Sequence, residues 1–198
     1  MRFVFVCFAL FAPLVASLEV TCQFRNFDIW SIFAGTYDCH ITGIDYRSPN
    51  EVVTGVFGQH LPDKSFSDVK TITIDESVCQ YLPQGFENYF KNIEGLTIRA
   101  SQLQQITQDD LKAFPKLKSL FLVGNKLTSL DANLFQFNPR LRSVFLGSNQ
   151  ISYIAPTTFD SLKNLDLLYM VENVCIDSKG LIRETVKNVI REIKEKCH

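Results

Sequence analysis

Apolar residues recur along the chain with a period of 24 residues. Counted from Val69, the first, fourth and sixth positions of five successive units are all apolar. These three columns are Val69, Ile93, Leu117, Leu141 and Leu165; Ile72, Leu96, Leu120, Val144 and Leu168; and Ile74, Ile98, Leu122, Leu146 and Met170. The alternation across the fourth to sixth positions predicts a short strand with its apolar side chains turned inward. Each unit must then return on the outer side and stack on its neighbour, because one unit cannot bury its apolar side alone.

The ninth position of each unit carries a small polar residue. In chain order these residues are Ser77, Ser101, Asn125, Asn149 and Asn173. An asparagine amide can satisfy backbone groups inside a tight turn, and losing such a buried partner costs about 1–3 kcal/mol. We therefore expect the asparagines to belong to the scaffold and the two serine turns to be less completely satisfied. The N-terminal half of the stack is accordingly expected to be the looser half.

The columns combine into the pattern L-x-x-L-x-L-x-x-N-x-L, with clear copies in LKSLFLVGNKLTSL from Leu117 and LRSVFLGSNQISYI from Leu141. This pattern resembles the leucine-rich repeat over roughly residues 69–175. The preceding segment VVTGVFGQHLPDKSFSDV is similar to the segment that leads into the repeats of small secreted insect proteins of this kind. The resemblance implies an α/β fold, a leucine-rich-repeat solenoid with a curved parallel sheet on its concave face and disulfide-bearing caps. It also implies that the protein binds another macromolecule.

Open stacks of repeats need a cap at each end. We expect an N-terminal cap and lead-in segment over residues 18–68, repeats over 69–174 and a helical C-terminal cap over 175–198. In the first cap, Cys22 and Cys39 bracket an aromatic-rich segment, which we interpret as a hairpin closed by a disulfide between them. The aromatic residues expected to cover the first repeat are Phe24, Phe27, Trp30 and Phe33.

The C-terminal cap is predicted from Cys175, which occupies an inward column of the fifth unit. A segment from Leu181 to Cys197 follows, with apolar residues three or four positions apart, as in a helix. A Cys175–Cys197 disulfide would fold this helix over the last strand. Each bridge closes a loop of about 20 residues and adds roughly 3 kcal/mol in the chain-entropy model. The remaining cysteine, Cys79, is expected to be a buried free thiol that fills an apolar column.

The first 17 residues have the features of a secretory signal peptide. Arg2 is followed by an apolar run from Phe3 to Phe11, and small residues precede a cleavage site expected near Ser17. A membrane anchor is the alternative, but the run is short for a bilayer and Pro13 interrupts it. The protein is therefore expected to be secreted and extracellular, without insertion into a membrane.

Composition narrows the range of functions further. Hydrophobic residues make up 46% of the chain, enough to bury a core, and the net charge is −1. The charges are spread along the sequence, so we expect no nucleic-acid partner. We also expect no cofactor, no metal and no catalytic residue, since the three histidines are far apart and no nucleophile motif is present.

Strand positions between the inward leucines face outward, onto the concave side of the predicted sheet. The central outward column is Thr73, Thr97, Phe121, Phe145 and Tyr169. Its aromatic members stand on adjacent strands, about 4.8 Å apart. The predicted ligand-binding residues are Phe121, Phe145, Tyr169, Val123, Leu167, Val171, Arg99 and Asp75. A ligand would therefore meet an apolar half and a polar half of one face.

The exposed apolar area of the aromatic column indicates whether it is a binding surface. Three aromatic side chains carry roughly 450–750 Å², of which stacking hides about half. The remainder, with its aliphatic neighbours, approaches the area at which an exposed apolar patch usually marks a partner. The alternative is that the rings only pack against one another as cross-strand pairs.

Three functions remain open from the sequence. The first is an extracellular recognition module that binds a protein or polymer through its concave face. The second is a structural protein that associates with itself, burying the same patch on both copies of a homodimer. The third, a hydrolase on a repeat scaffold, has no visible catalytic cluster to support it.

Overall fold

A computed structural model describes residues 17–27 and 35–198. The predicted signal peptide, except its last residue Ser17, lies outside the described residues, as do Trp30 and Phe33. The strands of the described chain are β1 (Ser17–Thr21), β2 (Gln23–Asn26), β3 (Tyr37–Thr42), β4 (Asp45–Tyr46), β5 (Val52–Phe57), β6 (Thr71–Asp75), β7 (Val78–Cys79), β8 (Gly95–Arg99), β9 (Ser119–Phe121), β10 (Ser129–Leu130), β11 (Ser143–Phe145), β12 (Tyr153–Ile154), β13 (Leu167–Tyr169) and β14 (Lys179–Gly180). The α-helices are α1 (Phe86–Tyr89), α2 (Gln108–Lys112) and α3 (Arg183–Lys196), and a 3-10 turn spans Phe66–Asp68.

One eight-stranded sheet organises the molecule, in the order β2-β3-β6-β8-β9-β11-β13-β14. Its strands from β3 to β13 are parallel, while β2 and β14 pair antiparallel at the two ends. Leu120 lies opposite Leu96 on one side and Val144 on the other, one period away in each direction. The predicted solenoid with a parallel sheet is therefore confirmed.

The apolar columns form one continuous core behind this sheet. Leu96, Leu120, Val144 and Leu168 are all fully buried, each stacked on its counterpart in the neighbouring repeat. A second layer on the outer side of each turn includes Phe135 and Phe159, whose ring centroids are 5.6 Å apart. Each repeat thus gains its hydrophobic stabilisation from its neighbours.

The asparagine column ties each turn to the turn before it. The side-chain oxygen of Asn125 accepts hydrogen bonds from the backbone N–H groups of Ser101 and Leu103, at 3.1 and 3.0 Å. Its amide group donates to the carbonyl of Ile98 at 2.7 Å and to that of Leu122 at 3.0 Å. Buried backbone groups in two successive turns are satisfied by one side chain.

The serine turns are held differently. Ser77 Oγ donates to the carbonyl of Asp75 at 2.7 Å, and Ser101 Oγ donates to that of Arg99 at 2.8 Å, both within their own turns. Across repeats, Ser101 Oγ reaches the carbonyl of Ile74 only at 3.5 Å, a long hydrogen bond. The first two turns therefore rely more on backbone bonds, such as Cys79 N–H to the carbonyl of Ser101 at 2.7 Å.

The position that precedes each Asn or Ser in these turns adopts a left-handed conformation. The residues concerned are Glu76, Ala100, Gly124, Ser148 and Glu172, with φ of 46°, 48°, 71°, 52° and 60°. A left-handed residue other than glycine costs roughly 1–2 kcal/mol. The asparagine and backbone bonds of the turn must offset this cost in four of the five repeats.

Both ends of the sheet are closed by disulfide-linked caps. The β2–β3 hairpin carries a Cys22–Cys39 bridge, and Phe24 packs within that cap against Tyr37. At the other end, a Cys175–Cys197 bridge holds α3 against the last repeat. The buried face of α3 consists of Val186, Val189 and Ile193.

Candidate binding surface

The aromatic column forms a continuous ladder on the concave face. The ring centroids of Phe121 and Phe145 lie 4.7 Å apart, and those of Phe145 and Tyr169 lie 6.2 Å apart. Successive rings are tilted by 33° and 34°, so each ring leans on the next. All three are half-buried, and the ladder runs across β9, β11 and β13 because the repeat places these residues in register.

Gly147 sets the position of the last ring in the ladder. A Cβ atom at Gly147 would lie 2.7 Å from Cδ1 of Tyr169, so any side chain there would displace the ring. The tyrosine therefore packs directly on the backbone of the preceding repeat. Val123 and Val171, on either side of the glycine in the same column, are half-buried beside the ladder.

β14 adds a residue beside the ladder that the sequence did not predict. Gly180 of β14 pairs with Leu168 and faces α3, where a Cβ would lie 2.5 Å from the backbone of Val186. Because side chains alternate along a strand, Lys179, which pairs with Tyr169, falls on the opposite, concave side. Leu181, the first residue after β14, is 57% exposed.

The polar half of the face is closed by a hydrogen-bonded cluster. Asp38 of β3 is fully buried and accepts hydrogen bonds from Thr71 Oγ1 at 2.8 Å and Thr73 Oγ1 at 3.0 Å. Arg25 Nε lies 3.4 Å from Asp38 Oδ2. Burial raises the pKa of the Asp38 carboxyl, and the bonds from the two threonines act in the opposite direction. Thr97 is also buried, so this part of the outward column offers little surface to a ligand.

Asp75 and Arg99, the two predicted polar contacts, bind each other. Arg99 Nε and Nη2 donate to the two carboxylate oxygens of Asp75 at 3.0 and 2.8 Å. The Asp75 side chain lies largely buried under the guanidinium, while that of Arg99 is 58% exposed. His40 Nε2 stands 3.9 Å from Asp75, and burial, with the charge of Arg25, lowers the pKa of His40. Only Arg99 of this group remains open to a partner.

Other reactive side chains serve the scaffold. The His60 ring stacks on Phe24 at 3.9 Å and its Nδ1 lies 3.0 Å from the Tyr37 hydroxyl. Burial raises the pKa of the Cys79 thiol to about 12, so the sulfur stays protonated. Across residues 17–27 and 35–198, no His, Cys, Asp and Glu side chains are grouped to hold a metal ion. In the same ranges, no helix has the length and apolar character needed to cross a bilayer.

The largest single exposures of apolar residues lie away from the ladder. Within the described chain, the most exposed large hydrophobic residues are Phe57, Phe137, Tyr153, Val174, Leu181 and Ile182. None of these six residues belongs to the ladder. What sets the ladder apart is its continuity over three strands, since its rings are individually less exposed.

Comparison with known proteins agrees with this geometry. A family model described as the leucine-rich repeat matches residues 115–174. The solved structure of an LRIM1/APL1C complex is similar over 78% of this chain, with a TM-score of 0.54 and 18% identity. The chain folds as a leucine-rich-repeat solenoid. The APL1 leucine-rich repeat domain is similar over 78% of the chain too, with a TM-score of 0.51 and 19% identity.

This chain spans 31% of the length of the chain matched in the LRIM1/APL1C complex and 43% of the length of the APL1 chain. At these identities the likeness is one of fold. A comparison with curated proteins found no match. The residues matched by the family model include Asn125, Asn149 and Asn173 and begin after Ser77 and Ser101.

Proposed function

We propose that this protein is an extracellular recognition module whose concave face binds a protein partner. The observation that carries the proposal is the aromatic ladder of Phe121, Phe145 and Tyr169. A solvated sheet face ordinarily alternates apolar-in with polar-out residues. Aromatic side chains at the centre of a face are where binding energy concentrates.

The ladder is held in place before any partner arrives. Phe145 contacts a ring on each side, and Tyr169 lies on the backbone of Gly147. Side chains fixed in this way lose little conformational entropy on binding, which favours affinity. Leu167 extends the apolar area, and the exposed guanidinium of Arg99 supplies a charged contact at its other end.

Location and partner class rest on separate observations. The Cys22–Cys39 and Cys175–Cys197 bridges are typical of a chain that folds in an oxidising compartment. This supports the secretion expected from residues 1–17. One structure of similar fold is that of a complex, LRIM1 with APL1C, which supports a protein as the class of partner.

A negative charge introduced into the ladder tests the proposal. We expect Phe145→Glu to weaken capture of the partner by about 100-fold, because it buries a charge at the centre of the contact. Immobilised wild type, Phe145→Glu and the control Tyr153→Glu are compared by quantitative mass spectrometry on the fluid surrounding the expressing cells. Tyr153 is 45% exposed and lies on β12, outside the main sheet.

Two results of that comparison have opposite meanings. A protein retained by wild type and Tyr153→Glu but lost with Phe145→Glu supports the concave face. Equal retention by all three removes the ladder from the binding site. Phe145→Ala, which adds no charge, replaces Phe145→Glu if circular dichroism shows that the latter does not fold.

A second copy of the chain is the alternative partner that could bind the aromatic ladder. Light scattering during size exclusion of the oxidised protein distinguishes it, because a homodimer would bury the same patch twice. A monomer at all concentrations agrees with a foreign partner. A dimer that dissociates with Phe145→Glu would instead assign the ladder to self-association.

A further inference from the structure

Positive charge is concentrated along one edge of the sheet, where the chain enters each strand. The four residues just before β6, β8, β9, β11 and β13 form five windows: 67–70, 91–94, 115–118, 139–142 and 163–166. Together these windows hold seven Lys or Arg and three Asp or Glu. Their net charge is +4 in a chain whose net charge is −1. In the third and fourth windows, PKLK and PRLR, every charged residue is a cation. We call Lys116, Lys118, Arg140 and Arg142 the basic rim.

Neighbouring repeats neutralise the basic rim only from its outer sides. Lys118 Nζ contacts Glu94 Oε2 of the preceding repeat at 2.6 Å. Arg142 Nε donates to Asp166 Oδ2 of the following repeat at 2.9 Å. The repeat places Lys118 and Arg142 on adjacent strands, which lie about 4.8 Å apart along the sheet. Neither window 115–118 nor window 139–142 contains a carboxylate.

A shallow hollow lies at this place. Its volume is about 420 Å³, and it is lined by Lys118, Arg140, Arg142 and Asn164. The side chains of Lys118 and Arg142 are 52% and 64% exposed, so their charged ends are accessible. Like charges at this separation repel, and an anion placed between them is attracted to both.

We propose that the basic rim binds a linear sulfated polysaccharide, with one sulfate group in the hollow. Arg140 borders the hollow, and its guanidinium can donate to such an anion in a two-pronged geometry, while Arg142 Nε and Nη2 both contact Asp166 Oδ2 at 2.9 Å. The cations of the basic rim stand on successive strands, and beyond them Asp166 pairs with both Arg142 and Arg183. A chain molecule with repeating anionic groups fits a line of charges.

Two other polyanions fit the basic rim less well. Single-stranded nucleic acids are bound by cations interleaved with aromatic side chains on which the bases stack. Neither 115–118 nor 139–142 contains an aromatic residue. An anionic membrane is a plane, whereas the cations of the basic rim follow one narrow edge of the sheet. The site is separate from the aromatic ladder and does not depend on the function proposed for it.

The test uses heparin as the probe and compares two triple variants of the oxidised protein. The rim variant is Lys118→Gln/Arg140→Gln/Arg142→Gln. The control variant removes the same charge from exposed positions elsewhere, Lys64→Gln/Lys112→Gln/Lys126→Gln. We expect the rim variant to bind heparin about tenfold more weakly or worse, and the control variant to bind within about twofold of wild type.

Both variants are expected to remain folded, since exposed ion pairs contribute little to stability. Equal weakening in the two variants would mean that heparin senses only net charge, which would overturn the proposal. Competition by single-stranded RNA or by phosphatidylglycerol vesicles at lower charge concentrations than heparin would overturn the choice of a polysaccharide. Unchanged binding by the rim variant would overturn the site itself.

Discussion

Leu120→Ala is expected to lower the free energy of unfolding by about 3–5 kcal/mol. The Leu120 side chain is fully buried at the middle of the stack, between Leu96 and Val144. Its removal leaves a cavity that touches two interfaces between repeats. In a solenoid, stability is close to a sum of such nearest-neighbour interfaces, so both are weakened at once. Urea denaturation of the oxidised protein measures the change.

Leu181→Ala is the matched control, since the same atoms are removed from a side chain that is 57% exposed. Its expected cost is within about 0.5 kcal/mol. A loss of under about 1 kcal/mol for Leu120→Ala would contradict the assignment of this column to the shared core.

Removal of the C-terminal bridge is expected to cost about 2–5 kcal/mol. The Cys175→Ser/Cys197→Ser variant releases a link between residues 22 apart that holds α3 against the last repeat. The Cys197 carbonyl also accepts a hydrogen bond from Ile154 N–H at 2.7 Å, so the end of α3 is tied to the fourth repeat. Faster amide hydrogen exchange in β13 and in Ile154 is expected to accompany the loss.

Cys79→Ala serves as the control for that variant, because Cys79 is a buried free thiol and both bridges remain. Its expected cost is about 1 kcal/mol, without faster exchange in β13. Wild-type exchange of β13 in the double serine variant would show that the cap does not depend on its disulfide.

The main features of the fold could be predicted from the sequence because the repeat encodes them directly. A period of 24 residues with inward apolar positions fixes which residues stack, as with Leu96, Leu120 and Val144. The role of Asn125 was also predictable, since few side chains can pair with both donors and acceptors in a buried turn.

The polar half of the concave face could not be predicted in this way. Alternation says that Thr71 and Thr73 face outward, but it does not say what lies beside them. The residue beside them is Asp38, which comes from the cap strand β3 and not from the repeat. The position of Lys179 beside Tyr169 was missed for the same reason, since Lys179 lies on an antiparallel strand that the period does not describe.

The basic rim shows how a repeat brings cations that are far apart in the sequence together on the surface. Along the sequence the cations are scattered, and the expectation of no nucleic-acid partner followed from that. When the chain is wound into repeats, Lys116 and Arg140 come one strand apart, as do Lys118 and Arg142. Charge at a fixed position of the period therefore becomes a line on the surface.

The central claim, that a partner sits on the aromatic ladder, is tested most directly by photo-crosslinking. Benzoylphenylalanine is placed at position 145, and at position 153 as the control, in the otherwise wild-type protein. One dominant cross-linked partner is expected at position 145, displaced by added wild type but not by Phe145→Glu. The same products at both positions, or none that wild type displaces, would show that no partner binds the ladder.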